Sequence, residues 1–317
     1  MDSPAPLALE VSASPHIAAA GVSTRNMMLD VVIGLSPVMG VAIYQHGPPA
    51  MGRMLLAAAA CAFFEAAFDK ARGRAHALAN GSAVLTGLLL ALSLPPTAPV
   101  HMLLLGALVA IGLGKSVFGG LGQNLFNPAM VGRAFVSVAF PAGVSGAAYL
   151  TDGMSGATPL TAFKVSGRPA ELSDLLFGTV PGSLGEVSAL ACIAGGLYLI
   201  IRKSASWQIP LSMLATLLLL GTLRHAAANT PDTWSVTHDL FSGAVLFGAF
   251  FIATDPVSSP LSHKGRLLFG AGVGVLTWFF RTFSGYPEGV MFAILLMNAV
   301  TPLINQFMIP KPAGAAA

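Results

Sequence analysis

Ten apolar stretches, each close to the length needed to cross a bilayer, leave this 317-residue chain little choice of solvent. They fall at about 27–45, 51–69, 81–94, 99–118 and 129–150 in the first half, and 184–201, 207–224, 239–254, 265–281 and 287–308 in the second. A spanning helix needs about 20 mostly apolar residues, because lipid offers the backbone no hydrogen-bond partners. Charged residues make up only 9% of the chain, against about 25% in a soluble domain, and the mean hydropathy is +0.75. The chain therefore reads as an all-α integral membrane protein.

Lys and Arg set its expected orientation. With the N-terminus in the cytoplasm, Arg25, Lys70, Arg72, Arg74, Lys115, Arg202, Lys203, Lys264, Arg266 and Lys311 fall inside. Arg53, Lys164, Arg168, Arg224 and Arg281 fall outside, and Arg133 lies within the fifth segment. Ten against five favours both termini inside. Residues 151–183 would then face outward, to the periplasm in a Gram-negative cell, flanked by membrane halves 27–150 and 184–308. Residues 1–26 and the tail 309–317 would be cytoplasmic, the Ala-rich end without fixed structure. No cleavable signal is visible before residue 25, so the first span is expected to direct insertion. The net charge of +3 is that of loop cations and does not indicate nucleic acid.

The halves echo one another. The third segment stops short at Pro95-Pro96 and the eighth at Asp255-Pro256. Each half resumes after a Gly/Pro-rich stretch, at Gly119–Pro128 and at Ser284–Pro287. Five segments per half make the second half inverted relative to the first, and paired interrupted segments point to a site at mid-membrane. The competing reading is that proline simply ends helices.

Two groups of polar residues stand inside this apolar frame. Asn124 and Asn127 can offer donors and acceptors on one side of a turn, suiting the carbonyl and imide edges of a heterocycle. They would equally serve to satisfy backbone freed by the glycines and Pro128. Glu65 and Asp255 are ionisable residues at membrane depth, and such residues are functional candidates by default. They belong to a cation path, or partner half-helix backbone groups, or pair structurally with Arg133 or Lys115. Asp30 and Asp69 fit the membrane boundary. Cys61 and Cys192 lie inside apolar runs as buried thiols, and the seven histidines are scattered mostly at segment ends. Gly112–Ser116 approaches a phosphate-binding loop, but Val109 stands where the first glycine belongs.

The longest polar interruption holds Thr151–Leu160. Gly153, Gly156 and Ala157 keep bulk away from Thr158, and Pro159 sets the exit direction, so the hydroxyl is expected on an open turn with Asp152 upstream. An ordinary loop would look the same.

Three signatures together carry a family resemblance that covers nearly the whole chain. Asp152–Thr158 resembles the Asp-x-x-Ser/Thr-Gly-Ala-Thr flavinylation motif. Gly122–Ala129 is similar to the carboxamide signature of the RnfD/NqrB family, with Leu125 where many relatives carry another residue. Phe251–Pro260 resembles that family's second-half signature. Lacking a long N-terminal extension, the chain is closer to the RnfD branch. The resemblance implies a fold of two inverted five-helix repeats with broken helices, like that of urea transporters. It also implies FMN attached through a phosphoester to Thr158 by an ApbE-like flavin transferase, with Asp152, Ser155, Gly156 and Ala157 as recognition residues. A second, non-covalent flavin, riboflavin in related subunits, would be contacted by Asn124 and Asn127. The implied role is electron relay between ferredoxin and NAD in an Rnf complex of a bacterial inner membrane. That role is coupled to Na+ or H+ movement, beside RnfA, RnfB, RnfC, RnfE and RnfG. Glu65 and Asp255 are candidates for the ion path, and no catalytic nucleophile or metal ligand is expected. The rival function is a channel or carrier for a small polar solute. A membrane scaffold is a third, to which the broken segments would be needless cost.

Overall fold

The computed structural model describes residues 23–73, 80–144, 150–151, 154–155, 158–167, 169–186, 188–227, 235–284 and 289–308. The first half holds α1 (Thr24–His46), α2 (Pro48–Ala71), α3 (Ser82–Leu92), α4 (Val100–Ile111) and α5 (Pro128–Ala139). The connection carries α6 (Pro159–Ser166) and α7 (Leu172–Phe177). The second half holds α8 (Ala189–Ile201), α9 (Gln208–Ala227), α10 (Val236–Phe241), α11 (Val245–Phe247), α12 (His263–Phe283) and α13 (Val290–Met308). Helices α1, α2, α9 and α13 are long and apolar enough to cross a membrane. A two-residue antiparallel pair, Leu150–Thr151 with Met154–Ser155, is the strand structure among the described residues.

Each expected span has a helix, with two corrections. The fifth ends at Ala139 instead of reaching 150. Pro141 pushes Phe140 out of the helical region, to φ −133° and ψ 59°, and a short 3-10 turn follows. The eighth is broken: α10 stops at Phe241, Gly243 turns at φ +64°, and α11 runs into a π-helical turn at Gly248–Ile252. A second π turn, Gly112–Ser116, extends α4. Apolar runs predict no helix in the connection between the halves, because α6 and α7 are too short to register as such.

Close helix contact rests on small residues. Backbone carbonyl oxygens stand where a Cβ at Gly195 or Gly132 would project: Gly34 of α1 faces Gly195 of α8, and Gly106 of α4 faces Gly132 of α5. In lipid, where no hydrophobic force drives helices together, such approach supplies the dispersion contact that does. Helix α2 lies along α3 and α4, and α9 lies along α12. The halves meet where α1 packs on α8 and α5 on α13. Leu35, Leu90, Ile111, Phe247 and Phe269 fill the interior.

Candidate functional site

Asn124, Asn127 and Asp255 line one cleft. It is narrow, with a volume of about 70 Å³. Its walls come from the start of α1 (Met27, Met28), from α3 (Thr86), and from both π turns through Lys115 and Phe251. Such turns recur at functional sites because they leave backbone groups out of the helical ladder.

Its polar frame ties the halves together. Asn127 caps α5, its Oδ1 accepting from the N–H groups of Ala129 (3.1 Å) and Met130 (3.4 Å), with Pro128 at the first helical position. Its Nδ2 donates to the Ile252 carbonyl at 3.4 Å, at the end of the second π turn. Its backbone N–H donates to Asn298 Oδ1 at 3.2 Å, while Asn298 Nδ2 donates to the Ser258 carbonyl at 3.0 Å. Asp255 folds its own turn, accepting from Val257 N–H (3.3 Å) and Ser258 Oγ (2.8 Å). Asn127 is therefore occupied with backbone, the second of the two readings of its carboxamide. Asn124 differs: its Nδ2 donates to the Phe126 carbonyl at 3.0 Å, and its Oδ1 has no partner among the described residues. The loop before it needs glycine, with φ +119°, +106° and +86° at Gly119, Gly120 and Gly122.

Of the two partners considered for Glu65, the structure selects Lys115. Lys115 Nζ lies 2.6 Å from Glu65 Oε1 and donates to Ser82 Oγ at 2.6 Å, with both charged residues almost wholly buried. Lys115 lines the cleft and Glu65 stands behind it, so Glu65 and Asp255 do not share a cavity wall.

Thr158 sits elsewhere. It caps α6, its Oγ1 accepting from Thr161 N–H at 3.4 Å and sharing a 2.9 Å hydrogen bond with Thr161 Oγ1. It is only 2% exposed, in a small pocket walled by Leu175, Glu186 and Phe241. The expectation of an open turn is thus corrected for this residue: Thr158-Pro159 begins a helix, and capping turns the hydroxyl inward. Ser155 lies in the strand pair, and Asp152, Gly156 and Ala157 fall outside the described residues. Gln45, near the end of α1, donates to the Gly178 carbonyl on the segment walling this pocket. Met27 and Met28 at the other end of α1 line the cleft, so about 26 Å of helix, from Met28 to Gln45, lies between the two sites. Lys164 of α6 donates to the Ser284 carbonyl at 3.2 Å, and burial, then the Arg281 charge, holds its amine below the ordinary range.

The model of the NQR2, RnfD, RnfE family matches residues 10–314. The chain belongs to that family. It is 41% identical to the D subunit of the Na(+)-translocating ferredoxin:NAD(+) oxidoreductase complex of Acetobacterium woodii, covering 95% of this chain and 94% of the relative. It is 38% identical to the D subunit of the proton-translocating ferredoxin:NAD(+) oxidoreductase complex of Clostridium ljungdahlii, over 96% of each. It is also 38% identical to the D subunit of the ion-translocating oxidoreductase complex of Halorhodospira halophila, over 96% of this chain and 95% of the relative.

For this family member, sequence reasoning overlooked Asn298, which is 1% exposed and bridges the two signature loops. Its signal was present: a carboxamide in the middle of an apolar span calls for a partner, just as a carboxylate does. The π turns carried no comparable signal.

Proposed function

We propose that this chain is the flavin-carrying membrane subunit of an ion-translocating ferredoxin:NAD oxidoreductase complex. The observation that carries the reading is likeness over almost the full length to the three relatives named above, each a component of such an ion-translocating complex. It favours this function over the solute channel or carrier. The chain acts as one component of an enzyme complex, with RnfA, RnfB, RnfC, RnfE and RnfG as its partners, in the bacterial inner membrane.

Thr158 is the residue to which an ApbE-like transferase would attach FMN, and Asp152, Ser155, Gly156 and Ala157 would present it. When bound, FMN supplies one- and two-electron redox chemistry, and the protein supplies its position and electrostatics. A phosphodiester at Thr158 would lie at the N-terminus of the eight-residue α6, where helix N–H groups and the macrodipole favour negative charge. The charge fits, whereas the packing around the 2%-exposed Thr158 does not admit a transferase. Attachment then precedes the packing of α6, or requires it to loosen. Residues 151–183 on the periplasmic face and both termini in the cytoplasm follow from the Lys and Arg distribution.

The ten-span inverted repeat, like that of urea transporters, is supported by matching neighbours: α2–α4–α5 in one half and α9–α12–α13 in the other. The cleft lies towards the end of α1 away from Thr158, and at about 70 Å³ it would have to widen to take the ring of riboflavin. Asn124 offers such a ring its Oδ1, and Asn127 holds the wall. Asp255 faces the cleft as the ion-path carboxylate, with Glu65 acting through its pair with Lys115. Relatives named for Na+ and for H+ resemble this chain almost equally, so either ion suits the same frame.

The test is intact mass and in-gel flavin fluorescence of the denatured chain, co-expressed with its transferase, beside Thr158→Val. An FMN-sized adduct in the wild type and none in the variant is expected. An unmodified wild type, with the transferase active on another substrate, overturns the flavin assignment.

A further inference from the structure

A second, roomier cavity opens beside the cleft, between the α8–α9 connection, the segment after the second π turn and the first turn of α12. Its volume is about 330 Å³. Lys203, His263 and Arg266 line it, and no Asp or Glu is among its lining residues. Neighbouring Arg202 pairs with Asp30 at 3.2 Å, and Asp30 also accepts from the lining Ser204 Oγ at 2.7 Å, so one carboxylate stands behind this wall. Lys203 and Arg266 make no ion pair among the described residues. Arg266 uses Nε on the Pro260 carbonyl (3.0 Å), which leaves its two terminal nitrogens for the cavity. The 21-residue α12 begins at this wall, adding the positive end of its dipole.

Two further observations point to a ligand. Gln208 lines the cavity and is 6% exposed; its Nε2 pairs with His263 Nδ1 at 2.9 Å, while its Oε1 has no partner among the described residues and less than 1 Å² of open surface, so a ligand reaches it by turning the amide towards the cavity. A buried carbonyl oxygen of this kind calls for a donor. Lys203 has φ +60°, the one positive φ on a non-glycine among the described residues. It follows the C-cap of α8, where its charge complements the helix dipole and its side chain lines the cavity. At the rim, Trp207 is half exposed, as aromatic side chains are at the level of lipid headgroups, and apolar Ile200 and Met27 line the wall.

We infer that this cavity binds a phosphate group carrying a hydroxyl-bearing substituent. The phosphate lies between Lys203, Arg266 and the α12 N-terminus, and the hydroxyl donates to Gln208 Oε1. The headgroup of phosphatidylglycerol has this chemistry, and so does soluble glycerol 3-phosphate. Basic pockets between spans on the cytoplasmic side are natural sites for anionic headgroups. Only the assignment to that leaflet rests on the orientation proposed above; the site's chemistry does not.

The test uses the full chain in its complex, delipidated in detergent, with native mass spectrometry and thermal unfolding. The probes are phosphatidylglycerol, phosphatidylcholine and glycerol 3-phosphate. Retention of phosphatidylglycerol but not phosphatidylcholine is expected, with at least a tenfold loss in Lys203→Asn/Arg266→Gln. Lys203→Asn alone tolerates the same backbone conformation and should lose part of the retention, so a misfolded double variant does not blunt the test. Gln208→Leu should abolish the preference for phosphatidylglycerol over phosphatidic acid, whose phosphate bears no hydroxylated substituent. Thermal stabilisation by glycerol 3-phosphate alone would support the same site with a soluble ligand. Equal retention in wild type and both cation variants, or no response to either phosphate compound, overturns the inference.

Discussion

Removing one partner of the Glu65–Lys115 pair should damage the protein far more than removing both. At 2.6 Å and an effective dielectric of about 20, the gross attraction is about 6 kcal/mol. Desolvation of two buried ions offsets much of this, so replacing the pair with apolar residues is close to neutral. Leaving one buried charge alone costs about 3–5 kcal/mol. Lys115→Met strands Glu65 and removes the donor to Ser82 Oγ. Glu65→Leu strands Lys115, which is 2% exposed, although Ser82 remains to it. Each single variant should lose about 3–5 kcal/mol and Glu65→Leu/Lys115→Met no more than about 1–2, a coupling of several kcal/mol. The assay is reversible unfolding in mixed micelles, run as a double-mutant cycle. Additive losses in the double variant would refute the reasoning, because they would show that the charges do not sense each other. Ion translocation is read separately in proteoliposomes. An apolar pair can restore the packing but cannot carry charge, so if the proposed ion path uses Glu65, stability should recover in the double variant while translocation does not.

Asn298→Leu should cost about 1–3 kcal/mol in the same assay. The Ser258 carbonyl keeps Thr301 Oγ1 at 3.0 Å, while the Asn127 N–H loses its partner. A loss below about 0.5 kcal/mol would mean that the bridge is idle. Lys164 gives a pH prediction. Its amine titrates below its ordinary 10.5 in the folded chain, so the unfolded chain binds more protons as pH climbs towards that value. The penalty for the charged form is therefore present at neutral pH and relieved on the alkaline side. Thermal unfolding at several pH values should show the wild type gaining stability relative to Lys164→Gln as pH rises towards 10.5, and parallel curves would contradict the assignment.

Much of the architecture was legible because lipid makes simple demands on sequence. Spans need length and apolarity, and Pro95, Asp255-Pro256 and Asn127-Pro128 announced where helices stop or start. What failed was apolarity used as a proxy for helix: residues 142–150 are apolar or small, yet Phe140-Pro141 had already ended α5. The choice of Lys115 over Arg133 for Glu65 spans 50 positions and depends on how α2 meets the π turn, which no local pattern encodes. The site residues divide on the same principle. Asn127 and Thr158 occupy capping positions, and capping is local: Asn-Pro and Thr-Pro are helix starts whatever else they do. Their sequence contexts suggested cofactor chemistry, and what the structure shows of their side chains is capping. The cleft, by contrast, is a long-range product in which Asn298 joins two loops that lie 131 positions apart, from Asn127 to Ser258. The electron carrier proposed at Thr158 and the carboxylate Asp255 proposed for the ion path lie towards opposite ends of α1, whose interior holds Pro37. About 26 Å of helix between Met28 and Gln45 is too far for side chains of the two sites to touch. On the proposed function, coupling would run through the frame that both sites share, and Asn298 and the Glu65–Lys115 pair are the places where that frame can be broken selectively.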